Sequence, residues 1–156
     1  MNRKNKTLIA AGVLALLAAA VFLPTGAEYF ARRNGPFEES VLAAFGVSAQ
    51  DIYNVQITFY GEGEFDAESP EDFAPVLDYL LSLNASSVFP QSAVDMAVSD
   101  RIVFLDFPGG SLSVHLLNNR RFAVWGDGGE GAGHHVYQTD SDIDLDVFRC
   151  QFNHYF

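Results

Sequence analysis

The side chains that could do chemistry fall in a few short stretches. His134 and His135 are adjacent, and Asp140, Asp142 and Asp144 follow at every second position. Imidazoles suit zinc and clustered carboxylate oxygens suit calcium, so these five residues are the candidate metal ligands. Adjacent strand residues point to opposite faces, so His134 and His135 are not expected to share one ion. His115 and His154 could join either of them only through the fold, and no HExxH or paired CxxC spacing is present. An EF-hand loop begun at Asp140 would put Leu145 at the position that needs Gly and Gln151 at the position that needs Glu. The competing role for Asp142, Asp144 and Asp146 is the N-terminal end of a helix, where the backbone dipole favours carboxylates.

Ser111, Ser113 and His115 alternate along one strand and so share a face, but no GxSxG elbow is present to expose a nucleophile. The run from Gly126 to Gly133 is rich in glycine, as a phosphate cradle is. It carries two acids and no base, and it joins two expected strands, so it reads as a hairpin loop. Cys150 stands alone. It reads as a small, half-buried residue on the last helix, with an intermolecular disulfide as the alternative. No catalytic or cofactor-binding residue follows from these patterns. The chain reads as a non-enzyme with no cofactor.

The elements that would position these residues begin at Phe37. Phe37, Val41, Leu42 and Phe45 have helical spacing, and Gly46 closes that helix. Ile52 to Tyr60 reads as a strand with one wet face, carrying Asn54, Gln56 and Thr58. Gly61 to Glu68 reads as an acidic loop. Ser69-Pro70-Glu71-Asp72 is the clearest helix start, with a stripe of Phe73, Val76, Leu77, Leu80 and Leu81 behind it. Pro75 either moves that start to Asp72 or kinks the first turn. Asn84 to Ser99 reads as loop. A meander follows: Arg101 to Phe107, a type II turn at Pro108-Gly109, Leu112 to Leu116, and a tight hairpin with positive φ at Asn118 and Asn119. Arg121 to Trp125 and His134 to Gln138 complete it. A last helix runs from Asp142 or Asp144 to about His154. The fold class is therefore α+β: a mostly antiparallel sheet of about five strands with helices packed on one face, preceded by an N-terminal hydrophobic helix.

That N-terminal segment is set apart from the domain. Arg3, Lys4 and Lys6 precede Leu8 to Leu23, a run without a polar side chain. A helix of that length reaches roughly 24 Å, and continuation through Ala27 brings it to spanning length. Two readings stand. One is a signal peptide cleaved after Ala27, where Thr25-Gly26-Ala27 supplies small residues beyond Pro24. The other is an uncleaved anchor with its N-terminus in the cytoplasm. No Cys lies directly after the segment, so no lipid-modified cysteine is expected there. The organisation is 1–27 signal peptide or membrane anchor, 28–36 tether, and 37–156 extracytoplasmic domain. The localisation is the cell membrane, single-pass with the C-terminal domain outside, or secreted after cleavage.

Beyond residue 27 the chain carries six arginines, no lysine and all 20 carboxylates, a net charge of −14. Such a field repels nucleic acid and anionic lipid and favours cationic partners or divalent ions. Solubility is its simplest role.

The layout resembles small extracytoplasmic α+β modules of Gram-positive bacteria. The resemblance covers Asp51 to Phe152 and rests on the PEDF…VLDYLLSL helix and the VYQTDSDIDLDVF strand-to-helix close. It implies a fold and a location, and no activity, ligand or site residue. The expected function is a non-catalytic extracytoplasmic binding or interaction module. It would contact the membrane through residues 8–27 and engage a cationic envelope protein or ligand, and no nucleic acid. The alternatives are a membrane-tethered envelope regulator or sensor, and a metal-assisted hydrolase built on His134, His135 and nearby acids.

Overall fold

The computed structural model describes residues 34–67, 69–88, 99–126 and 133–152. The hydrophobic segment, residues 28–33 of the tether, and His154 lie outside them. Among the described residues, no helix is long and apolar enough to cross a membrane.

The described chain runs β1 (Gly35–Pro36), α1 (Phe37–Ser40), β2 (Asn54–Phe59), β3 (Gly63–Ala67), α2 (Pro70–Ser82), β4 (Asn84–Ser87), β5 (Arg101–Phe107), β6 (Gly110–Leu116), β7 (Arg121–Gly126), β8 (Gly133–Thr139) and α3 (Asp146–Phe152). The strands form one sheet in the order β1-β4-β8-β7-β6-β5-β2-β3, with every neighbouring pair antiparallel. The meander is the centre of this sheet, as its alternating residues dictate.

One face carries the core. Val55, Ile57, Val103, Leu105, Leu112, Val114, Phe122, Val124 and Tyr137 lie on the same side of the pleat. They form one buried cluster with Phe37 of α1, Phe73, Val76, Leu77 and Leu80 of α2, and Phe148 of α3. Ser69 caps α2 by accepting from the Asp72 N–H at 3.4 Å. The helix starts at Pro70 and runs on through Pro75, which forgoes only the bond to the Glu71 carbonyl.

The sheet has eight strands rather than about five. β3 lies inside the stretch expected to be an acidic loop: Phe65 and Ala67 are buried while Glu64 and Asp66 are exposed, a period of two masked by the surrounding acids. β4 lies in the stretch expected to be loop. Its Asn-Ala-Ser-Ser sequence has little strand propensity, and it is held by pairing with β8. β1, at the tether's end, is two residues paired to Ala85 and Asn84.

Other boundaries shift too. The first helix divides into α1 and a 3-10 turn, Leu42–Phe45, although Gly46 closes it in the left-handed region as expected (φ 70°). Gly109 has the positive φ, 104°, that its turn requires. Asn118 and Asn119 do not have positive φ. The connection is longer, and the Asn118 side chain accepts from the Arg120 N–H at 2.9 Å, a local turn that needs no left-handed residue. Gly126 and Gly133 belong to the ladder rather than to the loop between them. A Cβ on Gly126 would come within 2.6 Å of the Phe45 ring, so only glycine lets that ring onto the sheet. α3 starts at Asp146, later than Asp142 or Asp144.

Candidate functional site

Opposite the helices, the sheet presents its second face. Register puts Gln56 across from Asp66 and Thr58 across from Glu64, and all four side chains line an open groove of about 280 Å³ at the β2–β3 edge. Phe65, on the edge strand, also lines it. Among the described residues, none of these four polar side chains has a hydrogen-bond or ion-pair partner. Across β2, Thr58 is paired with Ile102 and Gln56 with Phe104, so β5 continues the same face with apolar residues, while the groove itself is lined from β2 and β3. One pleat along, Asn54 is only 8% exposed and donates to Asp106 at 3.0 Å, while its own carbonyl oxygen Oδ1 is buried and receives no donor.

Further across the same face, three strands bring rings together. His115 on β6, Trp125 on β7 and His134 on β8 form a row, with ring centroids 4.3 Å apart between His115 and Trp125 and 5.6 Å apart between Trp125 and His134. His115 Nε2 lies 3.2 Å from Ser113 Oγ. Partial burial pushes the His115 pKa below its ordinary 6.5, which favours the neutral imidazole. Among the described residues no carboxylate holds that ring, so Ser113 and His115 lack the third, orienting group of a nucleophilic triad.

The candidate metal ligands are dispersed. His134 faces Trp125, whereas His135 faces Phe45 on the core side, with centroids 5.4 Å apart. Asp140 is exposed. Asp142 pairs with Arg120. Asp144 accepts from the Asp146 N–H at 3.0 Å, at the entry to α3, and its own N–H donates to Tyr79 Oη. Among the described residues, no three His, Cys, Asp or Glu side chains converge as a metal site would require. Cys150 is exposed on α3 rather than half-buried. Its helix is short, and Phe148 takes the inward position.

One ion-pair cluster is structural. Glu62, in the β2–β3 turn, accepts two bonds from the Arg149 guanidinium and lies 3.7 Å from Arg101, tying α3 to the sheet. The hydrogen bond from Arg149 holds the Glu62 carboxyl below its usual range.

Sequence reasoning missed the groove. Gln56 and Thr58 were legible as a wet strand face, but Glu64 and Asp66 join them only once β3 is recognised as a strand. The available signal was the alternation of Glu64 and Asp66 with Phe65 and Ala67. Comparison with protein-family models, with curated proteins and with solved structures returns no match for this chain.

Proposed function

We propose that the chain is a non-catalytic binding module of the cell envelope, held at the outer side of the membrane through residues 8–27, with the face opposite the helices as its binding surface. The groove at the β2–β3 edge supports this most directly. Among the described residues, it gathers four hydrogen-bonding side chains without partners, no carboxylate orients His115, and the candidate metal ligands do not converge. Unpartnered polar groups on an open face suit recognition, and among the described residues the Ser113–His115 contact lacks the orienting acid that would favour chemistry.

The net charge of −14 beyond residue 27 supports a cationic partner. The full-length chain, immobilised in detergent micelles, is expected to capture a partner from envelope extract at about 0.1 M salt. It should release it near 1 M, where the Debye length falls from about 10 Å to about 3 Å. Salt-insensitive capture would point to an apolar interface instead. No capture, together with hydrolytic turnover lost on chelation or in His134→Ala, would replace this reading with the metal-assisted hydrolase.

A further inference from the structure

We draw no further inference here: the strongest candidate, the nearly dry row of Ile102, Ala123 and Val136 that crosses β5, β7 and β8 on the face opposite the helices, carries nothing, because no element among the described residues shows what covers it.

Discussion

His115 shows how one side chain's setting becomes a measurable property. Its ring is half-buried and edge-on to Trp125, the only tryptophan in the chain. Burial disfavours the charged imidazole, so its folded pKa lies below 6.5. The unfolded chain therefore takes up the proton first, and this residue's contribution to stability is present above that ordinary value and lost as pH falls through it toward the folded value. A protonated imidazole also quenches an indole that it touches more strongly than a neutral one does. His134 also lies against Trp125, so the test is made in a His134→Gln background: there Trp125 fluorescence should fall on acidification with a midpoint below 6.5, and adding His115→Gln should remove that step. A midpoint at or above 6.5, or a step that survives the substitution, would contradict this account. The same ring row explains why His134 and His135 part ways. Successive residues of β8 point to opposite faces, one to Trp125 and the other to Phe45.

α2 illustrates how local signals and burial divide the work of an element. Ser69, Pro70, Glu71 and Asp72 start the helix through capping and dipole effects. Its hold on the sheet comes from Phe73, Val76, Leu77 and Leu80, all nearly inaccessible to water. Leu80→Ala should cost about 2–5 kcal/mol by removing buried methyl groups and leaving a cavity. Glu71→Ala, on an exposed first turn, should cost about 0.3–1 kcal/mol. Chemical denaturation of both variants checks the contrast, and equal small losses would mean that α2 does not cover the core. α3 is held differently. It has only two turns, buries Phe148, and is pinned from outside by the Arg149–Glu62 pair and by the Tyr79 hydroxyl at its entry.

The placement of the whole chain is a matter of its N-terminal segment and its charge. Three basic residues ahead of Leu8–Leu23 favour a cytoplasmic N-terminus, and both readings of that segment export the domain behind it. A reporter fused after Phe156 that works only in the cytoplasm should stay silent, while one active outside should be on. A bright cytoplasmic signal from normally fractionated chain would sink the proposed location. In the proposed location the basic residues ahead of Leu8 would be cleaved or left behind the membrane, which would leave the exported part with its net charge of −14.

The α+β class, the central meander, the start of α2 and the glycine turns at Gly46 and Gly109 were legible in the sequence, because each rests on contacts within a few residues. Alternating apolar residues, a capping serine and a positive φ need no distant partner to be recognised. Tertiary structure alone decided the rest. β3 and β4 exist because β2 and β8 offer free edges, and their own residues are too acidic or too small to announce a strand. Asn118 avoided the expected left-handed turn because its side chain supplied a local acceptor. The groove depended on the same long-range pairing. Gln56 and Thr58 belong to one strand and Glu64 and Asp66 to its neighbour, and only the antiparallel register between the two sets them side by side on one face.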